Sequence, residues 1–316
     1  MTEALGFTRG TTPCASTIHD VFKGLTSGAC EERREGWAGN GVRTVEGRRV
    51  RGRARDGKTL RGSKKQGAPG THLLSLVSPG LGLTLVQQAV EDKTTEIPAS
   101  LEVLRRLLFT GEVITVDALL TQREIATTIV ERGGAYLRPA KDNQPELRDM
   151  NTAVLATPPT LAEPVRHAME RTSGHGRPER RSIQIRALLP GDTDWPHAQQ
   201  VFRIDRRVVR VTTGEVRHES VLGVTSLHPD HASPAEILQR VRGHWTRENR
   251  SHYVRDVTVD EDRSQVRTVA IPQVLAALRH RAIGAMRVAG YTNIAATCRR
   301  FAARPTAALA LIGLQT

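Results

Sequence analysis

Three acidic residues stand in settings suited to holding divalent cations. They are Asp56 in DGKTLRGS (56–63), Asp117 in VITVDALLTQRE (113–124) and Glu248 in RGHWTRENRSHYVRDV (242–257). The first pair is 61 positions apart and the second 131. Brought together, three carboxylates suffice for two magnesium or manganese ions roughly 4 Å apart, because magnesium takes only one or two carboxylates each and keeps several waters. One ion would activate an attacking oxygen and the other stabilise a leaving oxygen, which is the chemistry of cutting and joining phosphodiesters. Each motif alone has a plainer reading. An aspartate after a strand caps a turn or helix, ENRSHYVRD suits a solvated helix face, and DGKTLRGS suits a basic turn. Their joint occurrence, each in fitting secondary structure, favours the catalytic reading. His228 and His231 have ligand-like spacing, but the proline in HPDH makes that stretch a loop.

The elements that must position these residues follow from the apolar periodicity. Asp117 comes just past a short apolar run, Val113 to Val116, of buried-strand type. Glu248 belongs to a helix from Pro234 through about Val257, with Ile237, Leu238, Val241 and Trp245 as its buried stripe. On that helix His244, Glu248 and His252 are spaced i, i+4, i+8 and share a polar face. Elsewhere the pattern predicts an amphipathic helix over 15–25 (Ile18, Val21, Phe22, Leu25) capped by Ser16 or Thr17. It predicts a hairpin of His72–Ser78 and Leu83–Val90, helices over Ser100–Leu108 and Gln122–Arg132, and a strand from Ala135 to Leu137. Residues 145–235 read as a β-rich insertion, and about 271–300 as helical. Hairpin, helix, strand, helix, strand is a mixed α/β layer order. The stretch from 24 to 55, rich in glycine and arginine without lasting period, reads as loop or disordered chain.

Composition narrows the partners. The 316 residues carry a formal net charge of +13 and a pI near 10.7, an excess that attracts polyanions through counterion release. Aromatic residues are only 3%, which argues against base-stacking platforms and for contact with a duplex backbone. Cys14, Cys30 and Cys298 have neither metal-type spacing nor the number for a disulfide framework, so a reducing cytoplasm is the expected location. No apolar run approaches the roughly 18 residues of a membrane span, and MTEALGFTRG lacks the regions of a signal peptide.

The chain also resembles the H-repeat-associated insertion-sequence transposases, a branch of the DDE transposases. The resemblance is carried by ALGFTRGTTPCAST, DGKTLRGS, EDKTTEIPA, VDALLTQRE, GGAYLRPAKDNQPEL, HGRPERR, RGHWTRENRSHYVRDVTVDED and YTNIAATCRRFAARPTAALALIGL, in order along the chain. It implies an α/β, RNase H-like mixed sheet with flanking helices and a β-rich insertion before the last catalytic helix. Segments 1–25, 26–55, 56–144, 145–233 and 234–316 would be, in turn, an N-terminal helical part, an irregular part, the first part of the core, the insertion, and the catalytic helix with its helical tail. The implied triad falls on Asp56, Asp117 and Glu248, with Mg2+ or Mn2+. Lys58, Arg61, Lys64, Lys65, Lys141, Asn143, Gln144, Arg242, Arg250 and Arg255 become expected DNA contacts. Double-stranded DNA, at transposon ends and target, would be the partner of a homo-oligomer in the bacterial cytoplasm, associated with the nucleoid.

Two departures set a rival reading beside this one. The approach to Asp56, GRRVRGRAR (47–55), is charged where the family has an apolar strand, and such a stretch is expected to fill a central strand badly. A bounded block of unrelated composition from 24 to 55 is what a shifted reading frame produces. The rival is therefore a degenerate copy that binds DNA without cutting it. A basic RNA-binding protein is a third reading, which leaves the acidic motifs unexplained.

Overall fold

The computed structural model describes residues 13–25, 28, 51–64, 70–78, 83–90, 96–116, 122–140, 144–159, 164–174, 177–268 and 270–314, with backbone alone at 51–57, 83, 96 and 244–252. Helix α1 (Ala15–Gly24) begins after Cys14, which holds the cap position expected of Ser16 or Thr17. Its apolar stripe stays open, with Ile18, Val21 and Leu25 all exposed. Strand β1 (Arg51–Thr59) overturns the expectation that the irregular stretch runs to residue 55. Beneath the high charge, arginine alternates with glycine or alanine over 51–55, a period-two pattern. Backbone pairing is indifferent to side-chain polarity, and this segment pairs in parallel with the next apolar strand but two. Residues 26, 27 and 29–50 of the expected irregular segment lie outside the described residues.

Strands β2 (His72–Ser78) and β3 (Leu83–Val90) form the expected antiparallel hairpin, with a register shift between Leu76 and Val77. Helix α2 (Glu96–Arg106) starts before Ser100, with Pro98 in its first turn, where a missing N–H is harmless. Strand β4 (Glu112–Thr115) is buried throughout, and helix α3 (Arg123–Glu131) ends at Gly133, whose φ of 81° is left-handed. Strand β5 (Ala135–Ala140) runs three residues longer than its pattern suggested. Next comes helix α4 (Pro145–Ala156), in a stretch the sequence reading assigned to strands. Its buried positions are Leu147 and Asn151, too few for an apolar stripe. Arg186 satisfies its C-terminal end by donating to the carbonyls of Val154 and Thr157. Strands β6 (Arg166–Gly174), β7 (Arg177–Ala187), β8 (Gln200–Val209) and β9 (Val216–Thr225) make a meander. Helices α5 (Pro234–Tyr253), α6 (Ile271–Val288), α7 (Ile294–Ala303) and α8 (Pro305–Leu311) complete the chain.

The chain divides into two compact units: Met1–Arg49, Asp56–Ala99 and Thr246–Thr316 in the first, and Val50–Arg55 and Ser100–Trp245 in the second. The first holds the strand order β3-β2-β1, with α6 packed along β3. Leu60, Leu73 and Ala276 make one small core there, and Ile283, Met286, Ile294 and Phe301 another. The second unit holds the order β1-β4-β5-β9-β8-β7-β6. Its β1, β4 and β5 are parallel, and the remaining pairs are antiparallel. The sheet is thus mixed and the protein α/β. The β-rich stretch does not close on itself: β9 pairs with β5 from Leu137↔Thr225 to Ala140↔Leu222, so residues 145–233 share a unit with 100–144. Val113, Leu137, Ile183, Phe202, Ile204, Ile237, Leu238 and Val241 form the core of this unit, each worth about 1.5–3 kcal/mol when fully buried. No helix among the described residues is long and apolar enough to cross a membrane.

Gly223 is where this core leaves no slack. A Cβ there would lie 2.1 Å from Cζ of Phe202 and 2.5 Å from the carbonyl oxygen of Arg138. Since the second neighbour is backbone, it cannot swing aside. Gly223→Ala should lower stability by about 1–3 kcal/mol. A urea midpoint equal to wild type, with unchanged slope, would show that the strands yield more readily than this packing implies.

Candidate active site

Asp56 is the sixth residue of β1, and Glu248 sits in the fourth turn of α5. Their side chains lie outside the described residues, as do Asp117, Lys65, Lys141 and Asn143 entirely and the side chain of Arg250. What is described is the framework on either side of these positions. Strand β1 runs parallel to β4 with Ala54 opposite Thr115. Val116, the residue before Asp117, is 1% exposed. Gln122, the first described residue after Asp117, is held through its carbonyl by an Nη of Arg138 at 2.9 Å. Arg138 is fully buried on β5, 5.7 Å from the Tyr136 ring, and burial pushes its guanidinium down to about 10. Sequence reasoning passed over Arg138; its only signal was a charge inside the apolar strand AYLRPA.

Two residues beyond Asp56 the chain enters a buried ion cluster. Lys58, 7% exposed, donates from Nζ to Asp256 and to Glu261 at 3.1 Å, and lies 3.7 Å from Asp262. Arg255, also buried, donates from Nε to the same Glu261 oxygen at 2.8 Å. Burial and the Arg255 guanidinium push the Lys58 ammonium below its ordinary range, against the pull of Glu261 and Asp262. Lys58 and Arg255 were expected to touch DNA. The structure corrects both: charge alone signals affinity for phosphate, whereas burial against carboxylates spends these cations inside the protein. Arg242 likewise is partly buried and paired with Glu170. Arg61 and Lys64 do face solvent, although Arg61 lies 3.7 Å from Asp262, and Gln144 occupies the N-cap position of α4.

The rest of DGKTLRGS serves the same junction. Leu60 enters the core. Gly62 lies so close to residues 262–264 that a Cβ would be 2.1 Å from the Ser264 carbonyl oxygen. The Ser63 hydroxyl donates to the Leu60 carbonyl (2.7 Å) and accepts from the Thr71 amide (2.8 Å). On the opposing side α5 gives way to one π-helical turn, Val254–Thr258, a widening that recurs beside functional sites. It is followed by Asp260 in the left-handed region (φ 50°) and a 3-10 turn at Glu261–Arg263. The segment after Asp56 and the segment after Glu248 therefore grip each other. Among the described residues no group of three or more histidine, cysteine, aspartate or glutamate side chains is arranged to hold a metal ion.

Glu261 is the hinge of the cluster, since removing it strands two buried cations. Glu261→Ala should cost about 3–5 kcal/mol, read as a lowered urea midpoint. A loss under about 1 kcal/mol would mean that Asp256 and Asp262 alone neutralise Lys58 and Arg255.

The family described as Transposase DDE domain matches residues 41–283. That match begins inside the 26–55 segment. The chain is 30% identical to the Escherichia coli K12 protein YbfL over 246 residues, 72% of this chain and 62% of that one. It is 29% identical, with the same coverage, to the H repeat-associated protein YhhI of that strain. With YncI of Escherichia coli O157:H7, which is named as a transposase, it shares 26% identity over 283 residues, 87% of this chain and 71% of that one. It thus spans a little under two thirds of YbfL and YhhI. A cryo-EM structure of a piggyBac transposase synaptic complex with hairpin DNA superposes with a TM-score of 0.42 at 10% identity, covering 76% of this chain and 47% of that one, a likeness too slight to argue from. On the family match, the chain belongs to the transposase DDE domain family.

Proposed function

We propose that this protein cleaves DNA strands at insertion-sequence ends and joins the freed 3′-hydroxyl to target DNA, with Asp56, Asp117 and Glu248 as its metal-holding carboxylates. The observation that carries the reading is the register of β1 against β4. Ala54 faces Thr115 on parallel neighbours, and Asp56 and Asp117 each come two residues later in sequence. Parallel strands lie about 4.8 Å apart, so the segments that lead into the two aspartates, 51–54 and 112–115, are direct neighbours. The ion cluster supports the third member, because it ties Lys58, two residues past Asp56, to Arg255 and Asp256, seven and eight past Glu248. An RNase H-like core is the finer fold this arrangement suggests.

The donor set fits the proposed ions: three carboxylates offer hard oxygens, which suit magnesium or manganese rather than softer metals. Bound there, two such ions would supply charge stabilisation at the attacking and leaving oxygens. The protein's own residues hold the carboxylates in place and present the duplex. Neither cleavage nor joining needs a covalent protein intermediate, since positioning and charge stabilisation suffice. Arg61, Lys64, Lys65, Lys141, Asn143, Gln144 and Arg250 remain proposed DNA contacts, whereas Lys58 and Arg255 act within the protein. A homo-oligomer on two DNA ends and a place in the bacterial cytoplasm belong to the same proposal.

The rival is a copy that binds but does not cut. The decisive assay is metal-dependent cleavage of a duplex bearing the element's end. Glu248→Gln, Asp117→Asn and Asp56→Asn should each retain duplex binding. Each should lose cleavage by more than the roughly 10–100-fold typical of losing an outer-shell partner of a metal ligand. Chelation should abolish cleavage by the wild-type chain. A Glu248→Gln protein that cuts at the wild-type rate would remove Glu248 from the site, and a wild-type chain that binds without cutting would favour the rival.

A further inference from the structure

The motif HGRPERR contributes two arginines, Arg180 and Arg181, that part company on β7. Across an antiparallel meander, directly opposed residues share a face, and one row over β6, β7, β8 and β9 reads Arg171, Arg180, Arg207, His218. All four are exposed. The adjacent row, Glu170, Arg181, Arg206, Glu219, lies on the other face, and there the charges cancel. Arg206 donates to Glu179 and, at 2.9 Å, to Glu219, while Arg242 donates to Glu170. Of the strand carboxylates, Glu170, Glu179 and Glu219 are all on that balanced face. Asp205 alone is on the arginine face, where Arg203 (2.9 Å) and the Ser220 hydroxyl engage it.

Like charges set directly opposite one another cost a sheet stability. Three arginines in one exposed row make sense when a polyanion supplies the countercharge. We propose that this row docks the phosphate backbone of duplex DNA. The inference rests on the reading that the protein acts on DNA, and it adds a surface on the meander that the carboxylate site does not require. Neighbouring strands lie about 4.8 Å apart, so the row runs about 15 Å, a length of duplex that carries roughly nine phosphate charges. Phe202, the one phenylalanine, tyrosine or tryptophan of these four strands, is fully buried. The face therefore offers none of these large rings to unpaired bases, which favours a duplex over a single strand.

The test is the metal-free binding of a fluorescent duplex by the full chain across a salt series. The triple variant Arg171→Gln, Arg180→Gln, Arg207→Gln is compared with a charge-matched control, Arg263→Gln, Arg299→Gln, Arg304→Gln. The row variant should bind more weakly, with a plot of log affinity against log salt shallower by about two to three units. Its urea midpoint should hold or rise, because repulsion is relieved, and the control should keep a slope close to wild type. Equal slopes for row variant and wild type would overturn the proposal. So would an equal loss in the control, which would make net charge the cause, or a loss as large on a single strand of the same length. The assay contains no metal and leaves the carboxylates intact. A weakened row variant alongside an active Glu248→Gln protein would therefore sink the catalytic reading and leave the docking surface standing.

Discussion

A lysine taken out of water must find a carboxylate, and Lys58 finds three. Much of the first unit's local architecture can be derived from that requirement. The partners come from residues 256–262, so the end of β1 and the segment following α5 have to meet. Their approach is close enough to demand glycine at position 62 and to set Ser63 bridging Leu60 and Thr71. Apolar substitutes for a buried ion cluster are often as stable. Our reading is that its value lies in pairing these two segments in a single way, since a cation two residues from Asp56 cannot slide along its partners without losing them.

The meander solves a different electrostatic problem. Period-two alternation sends neighbouring residues to opposite faces, so the run RPERR (177–181) need not place all its charge on one side. One face gathers three of the four strand carboxylates and pairs them with arginines. The other keeps a row of cations in solvent. Net charge read from composition treats both faces alike; register separates the cations spent on internal pairing from those free to meet a polyanion.

Legibility in the sequence followed how local the determining interaction was. The hairpin of β2 and β3 was read with its observed limits, because short apolar runs and a Ser-Pro-Gly turn are local signals. Helix α4 escaped notice since most of its face is exposed and its stabilising cap, Arg186, arrives from β7. Strand β1 was taken for irregular chain because its arginines masked the alternation that pairs it with β4. Lys58 was misread for a related reason: its partners lie 198 to 204 positions away and its own motif does not announce them, whereas the partner of Arg255, Glu261, stands only six positions on. The three proposed carboxylates come from motif context, a signal that names residues without placing them.

Their placement is accordingly the central claim, and diffraction tests it directly. Crystals of the full chain grown with Mn2+ and an end-bearing duplex would be measured at the manganese absorption edge. The account predicts anomalous density between Asp56, Asp117 and Glu248, with all three carboxylates contributing to one metal pair. Carboxylates held more than about 10 Å apart, too far to share ions spaced by roughly 4 Å, or manganese bound only elsewhere, would contradict it.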